Sequence, residues 1–169
     1  MINSTLCYLM RPAGSSLSDN PEVLLLHRVK KKNDINHDKW IGIGGKFEEG
    51  ESPEDCLLRE CREETGLTLL SWRYRGIVTF VSDSAETEYM HLFTSDDFTG
   101  EMTECDEGEL TWIPFRDFSS LPQWEGDKIF LKLLADDAPF FSLKLVYEGS
   151  RLKSAVLNGR ELRQRRASH

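Results

Sequence analysis

Seven residues between positions 45 and 67 have the types and offsets that phosphate chemistry needs: Gly45, Glu51, Arg59, Glu60, Glu63, Glu64 and Gly66. With Cys61 and Leu67 they fit G-x5-E-x7-R-E-U-x-E-E-x-G-U, where U is apolar. At average residue usage such an arrangement arises by chance about once in 10⁹ starting positions. The same stretch holds eight acidic residues against Lys46, Arg59 and Arg62. Like charge at that density opposes itself unless water or a cation screens it, and a bound metal is the natural screen.

The elements that position these groups follow from local chemistry. Ser52 suits an N-cap, Pro53 the first helical position and Asp55 the reciprocal capping position, while Gly66 suits the left-handed residue past the end. A helix is therefore predicted over about Pro53 to Thr65. At 100° per residue, Leu57, Leu58, Cys61 and Thr65 share one sector, and Glu60, Glu63 and Glu64 the next. One side packs on a sheet, and the neighbouring side is expected to present three carboxylates from an exposed face.

Glu60 and Glu64, at i and i+4, are close enough to share a metal. Oxygen ligands without His or Cys favour Mg²⁺, with Mn²⁺ able to replace it. Such an ion stabilises charge at an attacked phosphorus and lowers the pKa of an attacking water. The bland alternative is a solvated helix with i,i+4 ion pairs, but the flanking glycines at fixed offsets tell against it. Arg59 is read as either catalytic or an orienting ion-pair partner, with Glu63 the expected partner.

Elsewhere, residues 4 to 10, 22 to 29, the segment Trp40 to Gly44, 72 to 82, 86 to 95, and Leu110 to Phe115 read as strands. Residues 30 to 39 form a polar loop. A second helix is expected from Glu125 to Ala135, buried through Ile129, Phe130, Leu133 and Leu134. Two further strands follow, in FFSLKLVY and LKSAVL, then a basic end with Arg160, Arg163, Arg165 and Arg166. One α+β domain over residues 1 to 159 with a basic C-terminal tail from 160 to 169 is expected.

Bulk properties exclude several classes. The 169 residues suit one core rather than two, and 39% apolar with 30% charged is ordinary for a globular protein. A net charge of −8 argues against a nucleic-acid polymer as partner. No apolar run approaches a membrane span, and no secretion signal is visible, so a cytoplasmic location is expected. Cys7, Cys56, Cys61 and Cys105 have no zinc spacing and read as free thiols.

The stretch from Gly45 to Leu67 resembles the Nudix box, and the chain resembles the Nudix hydrolase superfamily. The likeness extends over roughly residues 5 to 150 through Lys39-Trp40-Ile41-Gly42-Ile43-Gly44-Gly45-Lys46, Leu110 to Phe115, Trp124-Glu125-Gly126-Asp127 and Phe140 to Lys144. These segments look like bacterial 8-oxo-dGTP diphosphatases of the MutT/MutX type. The resemblance implies a Nudix α-β-α sandwich with a mixed sheet and a loop-helix-loop box. It implies hydrolysis of an oxidised purine nucleoside triphosphate to the monophosphate and pyrophosphate. It also implies Mg²⁺ on the Gly44 carbonyl, Glu60, Glu64 and often Glu63, joined by Glu107 or, second in rank, Glu109.

By the same resemblance Arg28 and Lys46 meet substrate phosphates, and Phe80, Trp124, Asn33 and Asp127 surround the base. Some relatives place Asn after the Trp of the first segment to read the oxidised base; here Ile41 stands there, so base reading must fall to other groups or be looser. Two other readings remain open. One is a Nudix hydrolase of ADP-ribose, a dinucleoside polyphosphate or another NTP. The other is a catalytically silent nucleotide-binding module, disfavoured because Glu60, Glu63 and Glu64 are all retained. The general base and the choice between monomer and homodimer stay open.

Overall fold

The computed structural model describes residues 1 to 12 and 20 to 162. Along the chain run β1 (Ile2–Arg11), β2 (Glu22–His27), β3 (Trp40–Ile41), α1 (Pro53–Thr65), β4 (Thr68–Ser82), β5 (Glu88–Thr99) and β6 (Glu109–Pro114). A 3₁₀ turn over Phe115–Ser120 leads to α2 (Asp127–Ala135), β7 (Phe141–Glu148), β8 (Arg151–Leu157) and β9 (Arg160–Glu161). The sheet order is β3-β2-β1-β5-β4-β7-β8-β9, with β6 on the remaining side of β2. It is mixed: β1 with β5 and β4 with β7 are parallel, and the other pairs are antiparallel.

Period-2 alternation divides two apolar layers between the faces. Tyr8, Val23 and Leu25 join Phe130 and Leu134 of α2 on one side. Cys7, Leu9, Leu24 and Leu26 join Leu57 and Cys61 of α1 on the other. The result is the expected α-β-α sandwich.

One local departure creates the site. β1 pairs with β2 only at Met10 and Arg11, then diverges from it to run beside β5. The segment after β3 enters the gap, with Ile43 bridging Cys7 and Lys46 bridging Ser4. Only glycine fits this approach at position 44, where a Cβ would lie 1.8 Å from the Thr5 carbonyl oxygen. The preceding loop closes on itself, because Arg28 N–H donates to Lys39 O (3.0 Å) and Asp38 N–H to Arg28 O (2.7 Å).

Three expectations are corrected. The buried stripe of α2 is Asp127, Phe130, Leu131 and Leu134, while Ile129 and Leu133 are only half-buried. The helix starts at Asp127, whose side chain faces inward and rotates the stripe by about one residue. Arg160 does not begin a tail; it pairs with Leu157 across the Asn158–Gly159 turn to form β9. Arg163, Arg165 and Arg166 lie outside the described residues.

Candidate active site

The helix carrying the carboxylates has the expected ends. Ser52 Oγ accepts from Asp55 N–H and Asp55 Oδ2 from Ser52 N–H, both at 3.0 Å. Gly66, at φ 79°, donates to Arg62 O. This phase turns Leu57, Cys61 and Thr65 into the core and brings Glu60 and Glu64 against the glycine loop. Glu64 Oε2 accepts from Gly44 N–H at 3.0 Å. A Cβ at Gly45 would lie 2.5 Å from Glu60 Cδ, so a side chain there would displace that carboxylate.

The three carboxylates are not equivalent. Glu64 is buried, at 7% exposure, correcting the expectation of an exposed face. Glu60 is largely covered, whereas the Glu63 side chain is 60% exposed. Burial pushes the Glu64 carboxyl well up from its ordinary value, and the charges of Glu107 and Glu60 add to this against the Gly44 N–H. Burial also raises Glu60, opposed by its hydrogen bond from Arg59.

Arg59 holds the box together. Its Nε and Nη2 donate to both Glu51 oxygens (2.8 and 2.7 Å), and Nη1 donates to Glu60 (2.8 Å) and Glu63 (3.2 Å). Nη2 also reaches the Lys46 carbonyl at 3.1 Å, tying the glycine loop to α1. The expected ion pair with Glu63 is present, and Glu51, to which no role was attached, is the bidentate partner. The guanidinium keeps the Glu51 carboxyl well below the ordinary carboxylate range.

Glu107, from the loop before β6, stands within hydrogen-bonding reach of Glu64. Glu109 is exposed and pairs with His27 along the β2–β6 ladder, so of the two acids Glu107 is the one at the carboxylates. Arg28 lies just past β2, with Nη1 2.5 Å from Glu107 Oε2 and Nε 2.6 Å from Asp34 Oδ2. Lys31 Nζ takes the other Glu107 oxygen at 3.2 Å. Among the described residues no three His, Cys, Asp or Glu side chains form a ready-made metal cage. The donor set still suits a hard cation: Glu64 is a buried carboxyl crowded by two others, and Mg²⁺ takes only one or two carboxylates.

Beside this face lies a cleft of about 200 Å³. Lys46, Phe80, Trp124 and Asp127 line it, as does Ile41, so the departure at that position presents an apolar wall. Asn33 is exposed and outside the lining; Asn36 and Ile35 of the same loop take part instead. Trp124 is 9% exposed and held on several sides: Phe80 meets it edge-on at 5.3 Å, Lys39 Nζ sits 4.5 Å over its ring, and its Nε1–H donates to Asn36 Oδ1 at 2.7 Å. Asp127 is 6% exposed, and burial pushes its carboxyl up to about 8 against the opposing charge of Lys39. Asn36, Asp34 and Lys31 were missed because the polar loop carries no periodicity that marks inward positions.

The model of the NUDIX domain matches residues 6–134. An uncharacterised Nudix hydrolase of Bacillus subtilis (strain 168), YvcI, is 35% identical over 71% of this chain and 75% of its own length. An oxidised purine nucleoside triphosphate hydrolase of Danio rerio is 36% identical over 68% of each chain. Among solved structures, the mutator MutT protein of Bacillus halodurans superposes with a TM-score of 0.78 at 26% identity, covering 94% of this chain and 98% of that one.

Proposed function

Because this chain belongs to the Nudix hydrolase family, we propose that it cleaves oxidised purine nucleoside triphosphates, 8-oxo-dGTP foremost, to the monophosphate and pyrophosphate. The observation that carries the reading is the junction of two surfaces. Lys46 lines the cleft, while its neighbour Gly45 packs on the Glu60 carboxylate. A base in the cleft would place its phosphates along the glycine loop. The similarity to the Danio rerio enzyme favours an oxidised purine over other diphosphate compounds.

Hydrolases of this family generally use divalent metals. In this reading Glu60, Glu64 and the Gly44 carbonyl would hold Mg²⁺, with Glu107 and Glu63 as further carboxylates for it. Bound there, the ion would stabilise charge on the attacked phosphorus and acidify a water. Arg59 fixes Glu60 and the glycine loop in register. Lys46, which lines the cleft, would balance the phosphates' charge, whereas Arg28 is turned to Glu107 and Asp34.

Asp127 supplies base discrimination. Guanine offers acceptors at both N7 and O6, whereas 8-oxoguanine carries a proton on N7. A neutral carboxyl has one donor and one acceptor, matching O6 and N7–H together; for guanine it satisfies only one of the two. Ile41 contributes shape without polar reading.

The test measures pyrophosphate release from 8-oxo-dGTP and dGTP with Mg²⁺. A kcat/KM at least about tenfold higher for 8-oxo-dGTP is expected, the worth of one unpaired polar group. Orthophosphate as product, or preference for dGTP, would overturn the proposal. As pH rises through about 8, Asp127 loses its proton and can no longer donate to O6, so kcat/KM should fall for both nucleotides; the carboxylate still accepts from the N7–H that only 8-oxoguanine carries, so the preference should persist. Asp127→Asn keeps a donor and an acceptor but does not titrate, so its kcat/KM for 8-oxo-dGTP should show no such fall across that range.

A further inference from the structure

A chain of hydrogen-bonded residues leads from Glu107, beside the carboxylate face, to the cleft. Glu64 neighbours Glu107, which accepts from Arg28 Nη1 at 2.5 Å. Arg28 Nε donates to Asp34 Oδ2 at 2.6 Å, and Asp34 Oδ1 accepts from Asn36 N–H at 3.1 Å. Asn36 Oδ1 in turn accepts from the Trp124 indole at 2.7 Å. Arg28, Asp34 and Asn36 belong to the loop that closes at Arg28 and Lys39, and Asn36 takes part through both its backbone N–H and its side chain.

We propose that this chain couples metal binding to the shape of the base cleft, with Asp34 as its central positioning residue. The inference rests on the metal assignment made above. Both oxygens of Glu107 are taken, one by Arg28 and the other by Lys31. A divalent cation beside Glu64 therefore competes with two side-chain cations for one carboxylate. Lys31 is 56% exposed and yields its weak contact to water at little cost. Arg28 is only 13% exposed, and a buried guanidinium cannot be left unpaired.

When Glu107 is drawn toward the metal, Arg28 follows it or leans wholly on Asp34. The Asp34 side chain is 8% exposed, so its position is set by its partners rather than by solvent. Its other oxygen carries Asn36, and Asn36 carries the Trp124 indole. The loop thus has two arrangements, and both the metal and the base bias the choice between them. That is the physical requirement for coupling between sites. It also gives Asn36, rather than the exposed Asn33, a reason to face the cleft.

Two-dimensional ¹⁵N–¹H NMR of the full chain tests this without turnover. The Trp124 indole signal is the one lost in Trp124→Phe, and the Gly44 amide, which donates to Glu64, reports the metal face directly. On titration with Mg²⁺ alone, both signals should move in the wild type and saturate together. In Asp34→Asn, which keeps the shape but removes the charge that holds Arg28, the Gly44 shift should persist and the Trp124 shift should fall by at least about half. Retained dispersion of the remaining amides shows that this variant folds; Lys31→Gln, at an exposed site, should leave the Trp124 shift intact. A Trp124 signal that stays still in the wild type while Gly44 moves overturns the coupling, as does an undiminished Trp124 shift in Asp34→Asn. A Gly44 amide silent to Mg²⁺ overturns the metal assignment itself, and the coupling with it.

Discussion

Glu64→Gln should lower kcat by about 10³-fold or more while the apo protein becomes no less stable, and above pH 7 more stable, than the wild type. Glu64 is the most buried of the box carboxylates and is positioned by the Gly44 N–H. A metal ligand there contributes several kcal/mol of charge stabilisation to the transition state, and about 4 kcal/mol corresponds to that factor. Stability moves in the other direction. The folded state raises the Glu64 carboxyl above its unfolded value, so between the two values the native protein holds a proton that the unfolded chain has released. Stability from this group therefore falls as pH rises, and Gln, which never ionises, removes the penalty. Melting temperatures in EDTA at pH 6 and pH 8 check this. A variant retaining more than a tenth of wild-type kcat would remove Glu64 from the chemistry and return the silent-module reading to consideration.

Arg59→Ala is expected to lower kcat by about 10²-fold with a smaller change in KM. The side chain spans Glu51, Glu60, Glu63 and the Lys46 carbonyl, so its loss frees the glycine loop and lets two carboxylates repel. Displacement of reacting groups by about 1 Å costs a factor of that order. Arg59→Lys restores the charge but cannot bridge both Glu51 oxygens, and should recover only part of the rate. If Lys recovers it fully, Arg59 acts as a point charge; if Ala is within threefold of wild type, it positions nothing.

The parts legible in the sequence were those governed by neighbours along the chain. Ser52, Pro53, Asp55 and Gly66 determine where α1 starts and stops through contacts within four residues, and both ends agree with the structure. The strand ranges were legible in the same way, from apolar runs bounded by turn residues, and β1, β2, β4, β5 and β6 lie at those places. What could not be read depended on distant partners. A glutamate on a helix reads as solvated, yet Glu64 is buried because Gly44, twenty residues earlier, brings an N–H to it. Asp127 enters the sequence reading only as a base-pocket residue by resemblance, because helical periodicity counts apolar positions; the structure puts it in the buried stripe of α2. Asn36 finds its partner 88 residues away in Trp124, a contact that no local pattern encodes.

The closure of the loop between Arg28 and Lys39 bears on how such an enzyme changes its diet. Both backbone hydrogen bonds that seal it lie at its neck, and the glycine segment resumes immediately beyond. A change of length within residues 29 to 37 is therefore absorbed at the neck on the side of β2 and β3, and surface loops tolerate such insertion at small entropic cost. It is not absorbed toward β6, because Lys30 N–H donates to Glu107 O and Lys31 Nζ to the Glu107 carboxylate. The stretch serves both surfaces at once: Asn36 holds Trp124 at the cleft while Lys31 holds Glu107 beside Glu64, so a sequence exchanged here to alter the ligand alters the carboxylate face with it.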